Sequence, residues 1–126
     1  MGLSRKQAAL NLHGWMRTGR KYVAHQMRGV YIEPLNGKCD ACAIGAIMLG
    51  KLGRNQVADE RNYDINDFQD YGPMVDCPVE EIDSDEGPTR YHLGFMVEHL
   101  FEDHRWNFAR IEHWLAECAD LPRVAA

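Results

Sequence analysis

Apolar positions recur with a helical period at both ends of the chain and become continuous in the middle. Over residues 4–27, Ala8, Leu12, Trp15, Met16, Tyr22, Val23 and Met27 fall within one arc of about 140° at 100° per residue. Lys6, His13, Arg17, Arg20, Lys21, His25 and Arg28 fall opposite, and Leu10 stands off the arc. The pattern predicts an amphipathic helix with Ser4 as its N-cap. Gly14 and Gly19 weaken a helix interior, so two versions stand: one long helix, or a helix ending between Gly14 and Gly19 that continues as an extended stretch.

Residues 29–38 hold a β-branched and aromatic run, Val30, Tyr31 and Ile32, stopped by Pro34 and the turn dipeptide Asn36-Gly37, which predicts one short strand or an ordered loop. From Asp40, residues 41–49 are apolar all round, with small and large side chains alternating, as in a central buried helix that starts near Asp40 and stops at Gly50 or Gly53. A short helix is expected from Asn66 to Asp70. Residues 73–90 are rich in proline and acid and read as a long loop. Residues 91–103 predict a helix with Leu93, Met96, Val97, Leu100 and Phe101 on one side. Asn107 then caps a last helix in which Phe108, Ile111, Leu115 and Cys118 share a face. His104, Arg105 and Trp106 form the tight connection of this helical hairpin.

The expected fold is therefore mainly α: a compact single-domain helical bundle over residues 1–126, with at most one short strand or hairpin and a long acidic loop at 73–90. Trp15, Ile44, Ile47, Leu100, Ile111 and Leu115 are its expected core. A length of 126 residues suits one domain, and 45% hydrophobic content is too high for a disordered chain. No apolar run approaches the ~20 residues that span a bilayer, and the start MGLSRK lacks the apolar stretch of a secretory signal, so a cytoplasmic location is expected.

The formal net charge of -5 hides three unequal blocks. Residues 1–58 hold nine bases against two acids, 59–86 hold eleven acids against one base, and 87–126 hold six acids and four bases. Opposite blocks in one small domain either lie against each other or mark an interaction surface. The acidic block offers Asp76, Glu80, Glu81, Asp83, Asp85 and Glu86 to a basic partner. Lys6, Arg17, Arg20, Lys21 and Arg28 form the alternative, a basic face for nucleic acid.

Four cysteines are the main carriers of candidate chemistry. Cys39-Asp40-Ala41-Cys42 is a C-x-x-C at the expected start of a helix, where the dipole favours thiolate. A thioredoxin-like reading fails for want of strands, and a zinc reading would join Cys39 and Cys42 to Cys77, with His25, His92 or Cys118 completing a tetrahedron. Cys42 as a nucleophile would need a histidine base, for which His99 with Asp103 four residues later is sterically suited. The simpler expectation is that the thiols are reduced and inert and that no cofactor is bound. No phosphate-binding glycine loop, nucleophile elbow or H-E-x-x-H occurs.

Gly14-Trp15 with Gly19, Cys42-Ala43-Ile44-Gly45-Ala46-Ile47, and Phe101-Glu102-Asp103 followed by Ile111-x-x-Trp114-Leu115 resemble a group of small uncharacterised helical proteins of bacteria and phages. That group carries G-W-x-x-G, C-A-L-G-A-I and N-D before I-x-x-W-L; Glu102 stands here where Asn is expected, and Cys39 is additional. The resemblance implies a helical fold and a bacterial or phage origin, and it supplies no catalytic role because the group has no assigned activity. The function expected from residues and resemblance together is a non-enzymatic interaction or regulatory protein, phage-encoded and acting on a host protein through its acidic surface. The alternatives are the Cys42-dependent enzyme and the nucleic-acid binder.

Overall fold

A computed structural model describes residues 2–28, 32–34, 39–57, 61, 63–79 and 89–121. It is mainly helical, with two small groups of strands. Helix α1 (Arg5–Gly19) is capped by Ser4, whose hydroxyl accepts the Gln7 N–H, and a 3-10 turn at Arg20–Tyr22 leads into β1 (Val23–Gln26). Of the two versions open for this segment, the shorter helix followed by an extended stretch is the one observed. β2 (Ile32–Pro34) and β3 (Cys39–Ala41) complete a three-stranded sheet in the order β1-β3-β2, parallel on one side of β3 and antiparallel on the other.

Helix α2 (Ala43–Leu52) follows directly. Asp40 does not start it: Asp40 sits buried in β3 and meets His25 Nδ1 of β1 at 2.8 Å. Cys42 is the cap instead, its Sγ accepting the Gly45 N–H at 3.4 Å. Short helices α3 (Arg54–Val57) and α4 (Asn66–Gln69) precede β4 (Met74–Asp76), which pairs antiparallel with β5 (Arg90–His92). β5 runs straight into α5 (Leu93–Glu102), and α6 (Phe108–Cys118) closes the fold. The mainly-α fold is as expected, while its detail of at most one strand or hairpin is corrected to five short strands among the described residues. Sequences such as VAHQ and CDA lack the apolar alternation that announces a strand, and their pairing is set by chain segments distant in sequence.

α2 is the axle. Residues 43–49 are buried on every side, and α1, α5 and β3 pack around them. Each fully buried Ile or Leu in this core removes enough apolar surface from water to contribute about 1.5–3 kcal/mol. α1 crosses α2 closely because both are bare at the crossing: a methyl group at Gly19 would overlap the Ala46 carbonyl, and one at Gly50 the Trp15 carbonyl. Of the expected core, Ile44, Ile47, Leu100, Ile111 and Leu115 are buried; Trp15 is half-buried, its ring packed edge-on against Tyr71. α6 starts on two caps, the Asn107 side chain accepting from Arg110 N–H and Gln26 Oε1 from Phe108 N–H, both at 2.9 Å.

The bases of α1 and of the turn after it meet acids in α6 and just beyond its end. Arg20 Nη1 lies 2.9 Å from Glu112 Oε2, out of line for a hydrogen bond, and Arg17 Nε lies 3.9 Å from Oε1; Lys6 reaches Asp120 at 4.0 Å. Burial pushes the Glu112 carboxyl up against the pull of Arg20 and Arg17. Arg28 donates to the Phe101 carbonyl at 3.2 Å, and Lys21 is exposed. Charge compensation in this part of the fold thus comes from the C-terminal helix. Among the described residues, no helix is long and apolar enough to cross a membrane.

Candidate metal centre

β4 alternates strictly: Met74 and Asp76 are exposed, Val75 and the following Cys77 are buried. A Cys77 N–H bond to the Thr89 carbonyl at 2.8 Å carries the strand pairing one residue past β4, so the thiol is held inward toward the end of α5. There it meets His99 in the last turn of α5 and His104 just beyond it. His104 is aimed back by the way the helix ends: Trp106 N–H bonds to the Leu100 carbonyl at 3.0 Å, and Arg105 takes a left-handed φ of 60° to allow it. A side chain in that conformation costs about 1 kcal/mol relative to the ordinary helical region.

The result is three donor atoms facing one another, all within 4.8 Å. His99 Nε2 and His104 Nε2 are 3.1 Å apart, and Cys77 Sγ is 3.5 Å from His104 Nε2. A tetrahedral zinc shell, with Zn–N near 2.0–2.1 Å and Zn–S near 2.3 Å, separates its ligands by about 3.3 Å for N to N and about 3.6 Å for N to S. Asp103 Oδ2 accepts from His99 Nδ1 at 2.7 Å, which fixes the tautomer that leaves the Nε2 lone pair pointing inward. Tyr91 presents its ring to His99 at 5.3 Å, centroid to centroid, and bounds the apolar side. Cys77 and His99 are 4% and 7% exposed and His104 is half-buried, so two of the three donors are shielded from bulk water.

A second cluster lies where α5 faces α2: Cys42 with Glu98 and Glu102. The helix N-terminus favours thiolate at Cys42, but burial outweighs it and pushes the thiol up to about 12. Burial, then repulsion from Glu102, pushes the Glu98 carboxyl up to about 7, and Glu98 Oε2 is buried without a hydrogen-bond partner. Near neutral pH Cys42 keeps its proton and Glu98 is about half protonated.

His99 and Asp103 are in contact, as their spacing allowed, but the thiol beside them is that of Cys77 and not Cys42. Cys42 and Cys77 belong to different clusters, so the alternative zinc set of Cys39, Cys42 and Cys77 does not gather as one site. Cys39 is placed in β3. Cys118 is buried in α6 with its sulfur accepting from Arg5 Nη2 at 3.4 Å, and His92 Nδ1 bonds the Gly72 carbonyl at 2.7 Å. Of the acidic candidates, Asp76 is held by Arg90 Nε at 2.9 Å, while Glu80, Glu81, Asp83, Asp85 and Glu86 lie outside the described residues.

Sequence reasoning missed His104 and the pairing of Cys77 with it. The five-residue step from His99 to His104 is not a same-face helical spacing and works only because the helix ends between them. The one signal available was a cysteine and two histidines on the elements that flank the acidic segment. No protein-family model, no curated protein and no solved structure matches the chain.

Proposed function

We propose that this protein binds one divalent transition-metal ion of the zinc class through Cys77 Sγ, His99 Nε2 and His104 Nε2, with Asp103 orienting His99. The observation that carries the reading is the convergence of the three donor atoms within 4.8 Å, with His104 Nε2 at 3.1 Å from His99 Nε2 and 3.5 Å from Cys77 Sγ, two separations close to those of a tetrahedral shell. Thiolate and imidazole are the ligands that zinc prefers, and three protein ligands leave one position for water or a substrate. A thiolate-imidazolium pair between Cys77 and His104 is the competing use of the same atoms. It is disfavoured because Cys77 directly follows strand β4 and does not start a described helix, where a dipole would favour thiolate.

The test is metal retention. Wild-type protein loaded with zinc and dialysed should keep about one equivalent by elemental analysis, and cobalt should give a thiolate charge-transfer band that Cys77→Ser abolishes. Wild-type protein that retains no metal, or full retention in both Cys77→Ser and His104→Gln, would falsify it. The interaction reading through Asp76, Glu80, Glu81, Asp83, Asp85 and Glu86 stays a separate proposal, tested by capture of a basic partner before and after amide substitution of all six.

A further inference from the structure

Cys77 belongs to two neighbourhoods. Its sulfur faces His99 and His104, and the residue also forms part of the wall of a surface groove of about 350 Å³, a size that fits a small ligand. Arg5 from the first turn of α1 and Arg90 from β5 flank that groove, with the Trp114 indole of α6 as a further wall. The one carboxylate in the lining, Asp76, is engaged by Arg90 through Nε, which leaves the Nη edge of that guanidinium for another acceptor. The Arg5 guanidinium donates to the Cys118 sulfur, a weak acceptor for a full positive charge, with Asp120 near enough to act on it through space. With Asp76 set against one of the two guanidiniums, the lining keeps one net positive charge, and the planar fork of arginine matches a tetrahedral or planar oxyanion.

We infer that this groove holds the oxyanion end, phosphate or carboxylate, of a small-molecule substrate whose reacting part lies at the metal centre beside Cys77. The inference rests on the metal reading above, and Cys77 is what joins the two. The groove supplies charge and orientation, and the centre supplies the fourth coordination position.

Inorganic phosphate and, in a second arm, acetate are titrated into zinc-loaded wild type, Arg5→Gln and Arg90→Gln while the Trp114 indole N–H resonance, assigned with Trp114→Phe, is followed. Zinc content is measured on the same samples. A saturable shift in wild type that weakens about tenfold in each variant at unchanged zinc content supports the inference, and the arm that saturates identifies the oxyanion. No saturable shift in either arm, or equal binding by the variants, overturns the groove's role and leaves the metal reading standing. A wild-type protein that keeps no zinc overturns the metal reading, and the link between groove and centre falls with it.

Discussion

Two clusters share helix α5 and differ in kind. Glu98 and Glu102 point at Cys42 on α2; one residue further along, His99 and Asp103 belong with Cys77 and His104. Each cluster contains a buried cysteine and an i, i+4 pair from the same helix, yet each solves burial differently. Where all three groups become anions on ionising, removal from water and repulsion hold the proton on two of them, with Glu98 raised to about 7 and Cys42 to about 12. Where two of the three are imidazoles, the lone pairs carry no charge, the acid sits outside the cluster as an orienting acceptor, and the three donors suit a cation. A step of 100° along one helix therefore separates a proton store from a candidate metal centre.

The sharpest way to break this comparison is to exchange the cysteines. Zinc at about 100 times its dissociation constant should stabilise wild type and Cys42→Ser by about 2.7 kcal/mol, read as a thermal shift, and should leave Cys77→Ser unmoved. An equal response in all three proteins would erase the distinction. Asp103→Asn comes next: loss of the orienting carboxylate should weaken zinc affinity by about 10- to 100-fold in a competition titration, with the fold intact by circular dichroism.

The acidic cluster is tested by pH. Because the folded Glu98 carboxyl titrates above its unfolded value of 4.5, the folded state holds the extra proton between 4.5 and about 7, and stability is lost as pH rises through that window. Glu98→Gln should raise stability by about 1 kcal/mol at pH 8, a figure reduced for the partial exposure of the group, and should change little at pH 4. Thermal unfolding at the two pH values measures it. The smallest effect expected is that of Arg105→Gly, which relieves the left-handed φ of 60° and should gain at most about 1 kcal/mol in denaturant unfolding while zinc is retained. Loss of zinc in that variant would mean that Arg105 contributes more than its backbone conformation.

Much of the helical frame was legible. Ser4, Asn107 and the glycines at 19 and 53 announced ends of α1, α2 and α6, while Gly50 lies inside α2, and the apolar run after Cys42 announced the buried axle. The half of the candidate site that lies within one helix, His99 with Asp103, was legible for the same reason: its spacing is a local property of the chain. Cys77 was misplaced because its partners lie 22 and 27 residues away, across a segment whose composition suggested only a loop.

By itself the sequence determined the periodic and capped elements and the opposition of charge between its blocks, since these depend on neighbours three or four residues apart. Tertiary structure alone decided which cysteine meets the histidines and which meets the glutamates. It also decided that the basic face of α1 is answered by Glu112 and Asp120, and that His104 folds back beyond the end of its helix. Each of these depends on strand pairing and helix crossing between distant segments, where burial sets the protonation state and the meeting of separate elements brings together the three donors that local spacing could not.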